Sequence, residues 1–414
     1  MNTKAKTFFV LVGLVTFVIL ASMSMWAQGV TTAAMSGRVT DKAGQGLPGA
    51  NVVATHTPSG TTYGVSTRED GNFSLSNLRV GGPYSLSVSY VGYKKQELSD
   101  ISLQLSQTAK FDFQLVEEAV QAAEIIVSGE RSAVLTASRT GAATSVSRQT
   151  IESFPTISRR IEDLARLTPQ YSSSGFGFSF AGQDNRMNNV TVDGSYFNNS
   201  FGLAGQPGDR TGVAPISLDA IEQLQVNIAP YDVRQGNFVG AGVNTVTKSG
   251  TNQISGSVYY QYRHQGLVGT KAGDVDFNPG TFKYNQIGFR IGGPIIENKL
   301  FFFTSYESDE LTQPGTTFLA NTGGQTVGGN TTRVLATDLD TLSSYLNTNF
   351  GYQTGPYQGY DFGTPAKRFL AKFDYNIDES NKLSLRYTRL DSDTDVLLSN
   401  SSSLGAGTRR SYPT

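Results

Sequence analysis

The chain has no cysteine. A disulfide framework, a zinc ribbon and a thiol nucleophile are excluded with it. Histidine is almost absent too: His56 and His264 are the only two in 414 residues. They lie far apart, which excludes most metal sites and acid–base triads. Charge is scarce, at 16% Asp, Glu, Lys and Arg against the ~25% of an ordinary soluble protein. The 33 basic and 34 acidic residues leave a net charge of −1, so the basic surplus of a general nucleic-acid binder is missing. Beyond the N-terminal run described below, no stretch approaches the ~18 apolar residues of a membrane-spanning helix. What is plentiful is glycine (45), phenylalanine (24) and tyrosine (19). Low charge with many Gly, Tyr and Phe points to a mainly β protein rich in turns. The length leaves room for two domains or more.

The N-terminus carries Lys4 and Lys6, then the uncharged run Phe8 to Ala21, then Ser24, Ala27 and Gln28. That is the order of a secretory signal peptide, residues 1–27, cut after Ala27. The competing reading is an uncleaved anchor, for which a 14-residue run is short. Removal of residues 1–27 leaves 31 basic against 34 acidic residues, a net of −3. With no helical span downstream, a mature chain that enters a membrane must do so as a β-barrel.

Residues 36–115 alternate short apolar runs with turns at Asp41–Gly44, Gly46–Gly49, Pro58–Gly60 and Asp70–Asn72. Tyr84, Leu86, Val88 and Tyr90 share one face of a strand, and Ser85, Ser87 and Ser89 the other. Short strands with turns every ~10 residues read as a β-sandwich. The order "SGRVTDKAGQGLPGANV", "TREDGNFSLSNL", "YSLSVSYVGYKK" resembles the carboxypeptidase-regulatory-like domain, of the carbohydrate-binding-like fold group. No His-x-x-Glu pair is present, so the resemblance implies no peptidase, and a spacer domain is the plainer reading.

Residues 116–130 form a linker holding the β-branched run Glu124, Ile125, Ile126, Val127, Ser128. On its residues alone it is either the first strand of the next unit or a strand free to add to another protein's sheet edge. Residues 131–252 are mixed α and β. Ile161, Leu164, Ala165 and Leu167 have helical spacing, with Ser158 as cap and Thr168-Pro169 as stop. Strands are expected at Asn189–Val192, before the turn Asp193-Gly194, at Leu224–Val226 and at Val243–Thr247, with a short helix from Ser217.

From Ile254 the period becomes two. Gly256, Val258, Tyr260 and Tyr262 alternate with Ser257, Gln261 and Arg263; Ile287, Phe289 and Ile291 with Gln286, Gly288 and Arg290. Leu300–Tyr306 is nearly all apolar. Phe369, Ala371, Phe373, Tyr375 and Ile377 alternate with Arg368, Lys372, Asp374 and Asn376; Leu383, Leu385 and Tyr387 with Lys382, Ser384 and Arg386. Apolar-out, polar-in strands of ~10 residues are the pattern of a transmembrane barrel. Tight turns at Glu297-Asn298 and Asp378–Asn381 alternate with long connections at 265–280 and 308–366. Short periplasmic turns and long outer loops are what such barrels have. Five strands do not close a barrel of the plugged kind, which has about 22. Residues 253–414 are therefore read as a partial barrel, the chain as an N-terminal fragment, and Ser411–Thr414 as lying in an outer loop.

The segments "TSVSRQTIESFPTISRRIEDLARLTPQ", "FAGQDNRMNNVTVDGSYFNNSFGL" and "PISLDAIEQLQVNIAPYDVRQGNFVGAGVNTVTKSGTNQISGS" resemble the plug of a TonB-dependent outer-membrane receptor. "IGGPIIENKLFFFTSYE" is similar to the Oar-like branch of that family. The resemblance implies a plug over 131–252 and a TonB box at Glu124–Ser128. It implies TonB and its inner-membrane energising complex as partners, outer-membrane lipid around the barrel, and an extracellular ligand of unknown identity. It also implies a Gram-negative outer-membrane location with the sandwich in the periplasm. No cofactor and no enzymatic reaction are expected.

Tyr171, Phe176, Phe178, Phe180, Tyr196, Phe197 and Phe201, with Asn198 and Asn199, are candidates for ligand contact. The same residues would also pack a plug against a barrel wall. Asp391, Asp393 and Asp395 resemble the start of a calcium loop but lack its Gly and closing Glu, so a solvated loop is the plainer reading. Ser172–Phe180 lacks the spacing of a phosphate loop. His56 and His264 read as surface residues without partners. The alternative function is a surface adhesin or carbohydrate-binding protein built on the sandwich. A hydrolase finds no paired carboxylates and no nucleophile–base set.

Overall fold

The computed structural model describes residues 30–118, 143–156, 159–173, 178–199, 205–230, 235–276, 280–328, 330–379, 381–397 and 409–413. It is mainly β, in three units that follow one another along the chain.

The first unit holds β1 (Thr32–Thr40), β2 (Asn51–His56), β3 (Thr61–Ser66), β4 (Asn72–Arg79), β5 (Gly81–Ser89), β6 (Gln96–Leu103), β7 (Thr108–Lys110) and β8 (Phe113–Gln114). One sheet runs β4-β1-β7, with β8 also on β1; the other runs β3-β2-β5-β6. The two faces meet as a sandwich. Tyr84, Leu86 and Val88 of β5 are fully buried, as their alternation requires, and the serines between them are half-buried. Each such side chain contributes roughly 1.5–3 kcal/mol of apolar burial. The Tyr84 hydroxyl donates to Arg79 O at 2.7 Å, so its polar end is satisfied inside the core. Strands β3 and β6 were not expected; their polar, half-exposed sequences hide them.

The central unit contains β9 (Ala143–Val146), α1 (Arg148–Ser153), α2 (Ile161–Ala165), β10 (Tyr171–Ser173), β11 (Phe178–Phe180), β12 (Asn189–Val192), β13 (Ser195–Tyr196), β14 (Ile221–Asn227) and β15 (Gly242–Thr247). Five strands form the sheet β13-β12-β15-β14-β9. Strands β12, β14 and β15 are buried on both faces. The turn at Asp193-Gly194 is where the dipeptide predicts it, with φ of 44° and 79°. Ser217 caps a single 3-10 turn, Leu218–Ala220, accepting from Asp219 N at 3.3 Å. Helix α2 is shorter than expected. It begins at Ile161 with Arg160, not Ser158, at the N-cap, and the Asp163 side chain returns to the Arg160 N–H. Ile161, Leu164 and Ala165 are buried, but Leu167 lies past the last turn and is exposed. Helix α1 was not expected, although Ser147 caps it by accepting from Thr150 N.

The third unit is a six-stranded antiparallel meander: β16 (Ser255–His264), then β17 (Lys271–Ala272) and β18 (Val275–Asp276) as a small outer hairpin, then β19 (Lys283–Ile296) and β20 (Leu300–Pro314). Next come β21 (Leu319–Asn321), β22 (Thr331–Leu335) and α3 (Ala336–Phe350), then β23 (Asp361–Asn376), β24 (Lys382–Leu397) and β25 (Arg409–Pro413). The sheet order is β16-β19-β20-β23-β24-β25. Three corrections follow. Strands β20 and β23 reach past the expected limits, so the long connection is 315–360. That connection contains α3, closed by Gly351 in the left-handed region (φ 64°). Residues expected in an outer loop form β25, paired with Asp393–Leu397. Among the described residues no helix is long and apolar enough to cross a membrane.

The tight turns stand as expected. Lys299 N donates to Ile296 O at 3.1 Å, and Ile377 N to Asn381 O at 3.0 Å. The sandwich sits against this end of the meander. Asn252 N donates to Pro58 O at 2.8 Å, and Asn376 Nδ2 to Thr61 Oγ1 at 3.0 Å. The link from β15 into β16 passes very close to the wall backbone. A Cβ placed on Gly250 would lie 2.4 Å from Phe302 O and 2.6 Å from Gly293 O.

Candidate functional site

Period-two alternation decides what the strand wall shows to each side. Val258, Tyr260, Ile287, Phe289, Phe373, Leu383 and Leu385 are exposed on its outer face. Gln286, Ser305, Glu307, Asp309, Arg368, Lys372 and Asp374 are buried on its inner face, against the central unit. This is a soluble protein turned inside out: apolar side chains outside, charges within. Buried charges must be paired and hydrogen-bonded, and the partners come partly from neighbouring wall strands, partly from the central unit and, for Asp374, from the sandwich.

At one place the register sets Glu307 of β20 opposite Arg368 of β23. The Arg368 guanidinium binds Glu307, Asp309 and the carbonyl of Ala214. Glu307 also accepts from Ser217 Oγ at 2.8 Å and from the Tyr259 hydroxyl. The Arg159 guanidinium lies 4.4 Å over the Tyr259 ring. At a second place Asp193, in the β12–β13 turn, accepts from Thr247 N (2.8 Å) and Thr247 Oγ1 (2.6 Å). It also meets Lys372 Nζ (3.5 Å) and Arg386 Nη1 (3.3 Å) of the wall. At a third, Arg290 Nε lies 3.1 Å from Asp219 Oδ1, and Lys248 Nζ lies 3.7 Å from the same oxygen. Burial, then the nearby Arg290 charge, hold the Lys248 amine below its usual pKa. Among the described residues, the buried apolar cluster that spans the seam is small: Val192, Ile216, Ala220, Phe303 and Leu370, with Phe197 packed against it. The seam is therefore held by polar contacts, which can be exchanged for water without exposing a large apolar area.

The residues singled out in the sequence fall as follows. Tyr171 and Phe180 pack edge to face, ring centroids 5.9 Å apart, on the central core. Phe178 lies in β11 opposite Ser173. Phe197 is half-buried and packs against the central core and the seam cluster. Asn198 serves the fold: its Oδ1 accepts from Val190 N at 2.7 Å and its Nδ2 donates to Asn189 Oδ1 at 3.0 Å. Asn199 N donates to Gly205 O at 3.3 Å. Tyr196 is exposed, but Asp193 ties its hairpin to Lys372 and Arg386, in the tight-turn half of the wall. Phe176, Phe201 and Glu124–Ser128 lie outside the described residues.

Asp391, Asp393 and Asp395 stand in strand β24, not in a loop. Strand geometry spaces alternate residues by more than 6 Å, and among the described residues no three acidic or histidine side chains gather as a metal site. Asp391 pairs with Arg389 at 3.6 Å, and Asp395 Oδ2 accepts from Gly363 N at 2.9 Å.

His56 corrects the surface reading. It is buried, its Nδ1 is 2.7 Å from Ser59 Oγ, and its ring lies 5.0 Å from that of Tyr84. Burial, helped by the Arg79 charge, lowers its pKa to about 3. His264 is half-buried and has a local partner, accepting from Gly266 N at 3.1 Å. The residues sequence reasoning passed over are Arg368, Glu307, Asp309 and Asp193. For Arg368, Glu307 and Asp309 the signal was present: charge on the inward face of alternating strands.

Residues 34–116 match the family described as carboxypeptidase regulatory-like domain, and residues 246–413 match the outer membrane beta barrel domain. The TonB-dependent transporter Oar of Myxococcus xanthus is 26% identical over 276 residues, covering 63% of this chain and 25% of Oar. The TonB-dependent receptor SusC of Bacteroides thetaiotaomicron is 37% identical over 102 residues, covering 25% of this chain and 9% of SusC. The outer membrane transporter YddB from Escherichia coli aligns in structure over 62% of this chain and 34% of its own, at 14% identity and a TM-score of 0.43. The chain thus spans about a quarter of the first of these relatives.

Proposed function

We propose that this homologue of the TonB-dependent transporter Oar, with its carboxypeptidase regulatory-like and outer membrane β-barrel domains, serves energised passage of a ligand across the outer membrane. The observation that carries the reading is the inverted strand wall. Its apolar outer face suits lipid, and its charged inner face holds the central unit. In this reading the central unit is a plug over residues 131–252 that blocks the passage. The connections 265–282 and 315–360 face outward and meet the ligand. The tight turns, and the sandwich docked at them, are periplasmic.

TonB, driven by its inner-membrane complex, adds a strand to Glu124–Ser128 and pulls. Main-chain hydrogen bonds would provide the grip. The Ile126→Pro variant tests this, because proline removes a ladder donor. TonB cross-linking to the chain in cells is expected to disappear in that variant while surface display is unchanged. Undiminished cross-linking would remove the TonB-box assignment.

A further inference from the structure

The sandwich is more than a neighbour of the central unit. Leu105, between β6 and β7, is gripped by its main chain: its N–H donates to Gln223 Oε1 at 2.9 Å, and its carbonyl accepts from Gln225 Nε2 at 2.9 Å. Both glutamines lie on β14 and are buried. Gln235 Nε2 reaches Ser106 Oγ at 3.3 Å. Val246 of β15 is buried within the sandwich's own apolar core cluster. On the wall rim, Arg79 pairs with Asp374 at 3.4 Å, and Lys382 Nζ lies 3.3 Å over the Tyr63 ring. One domain thus clasps both the central sheet and the wall at the tight-turn end.

The clasp has a load path. Gln225, which holds Leu105 O, is paired in register with Ser145 of β9 and also reaches Ser145 Oγ at 3.4 Å. Strand β9 is the edge of the sheet and is held by four residues. The covalent connection between sandwich and β9 runs through residues 119–142, which include the segment read as the TonB box. A pull applied there loads β9 on one side and the sandwich on the other. The Gln225–Leu105 contact lies between them.

We propose that the sandwich is an intramolecular latch: clasped to β14 and the wall rim it keeps the central unit seated, and a pull through the connection releases it. This rests on the transport reading above and adds the device that must open first. The hydrogen bonds and ion pairs that hold the latch can be exchanged for bonds to water when it opens and remade when it closes.

The test uses the full-length protein in cells. These 414 residues hold no cysteine, so in a full-length protein cleared of any cysteine elsewhere, Val246→Cys places a single thiol under the sandwich. Labelling by a small maleimide is compared in energised cells and in cells treated with a protonophore, with TonB cross-linking read in parallel. The latch requires labelling to be several-fold faster in energised cells and slow after protonophore or in the Ile126→Pro background. Gln223→Ala with Gln225→Ala should make it fast in resting cells. Equal labelling in both energy states, with TonB cross-linking intact, overturns the latch alone. Loss of TonB cross-linking in the parent protein overturns the transport reading and the latch with it. Should Val246→Cys fail to fold, judged by heat-modifiable gel migration, Ser106→Cys gives the same readout from the sandwich side of the contact, where Gln235 Nε2 reaches the Ser106 hydroxyl.

Discussion

Strands β5 and β16 share one rule and obey it in opposite senses. In β5 the apolar residues Tyr84, Leu86 and Val88 are fully buried and the serines half-exposed. In β16 the apolar residues Val258, Tyr260 and Tyr262 are exposed, while Ser257, Tyr259, Gln261 and Arg263 turn inward. Periodicity fixes which residues share a face. The surroundings fix which face is the inside. The polar face of the sandwich strand looks outward, whereas on the wall the polar face is covered by protein and the apolar face is left exposed. An alternating strand therefore does not reveal its own orientation. Charge on the minority face does, because Arg368 and Glu307 could not be buried unless something polar were there to receive them.

The contrast can be broken most severely at Arg368. Arg368→Met strands two buried carboxylates, and removing one partner of a buried ion pair costs about 3–5 kcal/mol. The thermal midpoint of the folded protein in detergent should drop accordingly; an unchanged midpoint would show that the inner face is wet. Next come paired substitutions on the two strands. Leu86→Ala should cost about 2–5 kcal/mol through the cavity it leaves. Val258→Arg should cost up to about 2–4 kcal/mol near the bilayer midplane, falling toward zero at its edges. Unfolding by urea from lipid vesicles measures both, and a harmless Val258→Arg would contradict a lipid-facing outer surface.

The smallest expected effect is a pH response of opposite sign in two units. His56 has a folded pKa near 3 against an ordinary 6.5, so the unfolded chain binds the extra proton. Sandwich stability is then fully present above about pH 6.5 and falls steadily toward about pH 3. Asp209 in the central unit is shifted the other way, to about 6, by burial with a contribution from the Glu162 charge. There the folded state binds the proton, and stability rises as pH falls from about 6 to about 4. Hydrogen exchange at about pH 7 and about pH 5 should show protection lost around β2 and gained around residues 205–213. His56→Gln should flatten the first trend only.

Where neighbours in sequence set the structure, the sequence was readable. The alternation of Tyr84–Tyr90 and of Ser255–Arg263, the Asp193-Gly194 turn, the Ser217 cap and the two tight turns all act over a few residues. Helix α3 was equally local, since Leu335, Leu339, Leu342 and Leu346 recur at helical spacing before Gly351, but it sat inside a connection read only for its length. Strands β3 (TTYGVS) and β6 (QELSDISL) were missed because half-exposed strands this rich in polar residues carry little apolar signal. The site was hardest. Arg368 meets Glu307 across 61 residues and Ala214 across 154, and Ser59 turns an apparently surface histidine into a core one. Those contacts belong to topology, which spacing alone does not encode.

Gly250 has a consequence for how the central unit can move. Its hydrogen fits between the carbonyls of Phe302 and Gly293, where no larger group would. Two residues later Asn252 is bonded to the wall's tight turn, its Nδ2 donating to Asn298 Oδ1 at 2.7 Å and its Oδ1 accepting from Asn298 N at 2.8 Å. The downstream end of the central unit is thus pinned to the wall, while its upstream end finishes in the short, removable edge β9. Such a part behaves like a door leaf hung on one post. In the transport reading it would unravel from β9 once the sandwich lets go, while its downstream end keeps its place on the wall.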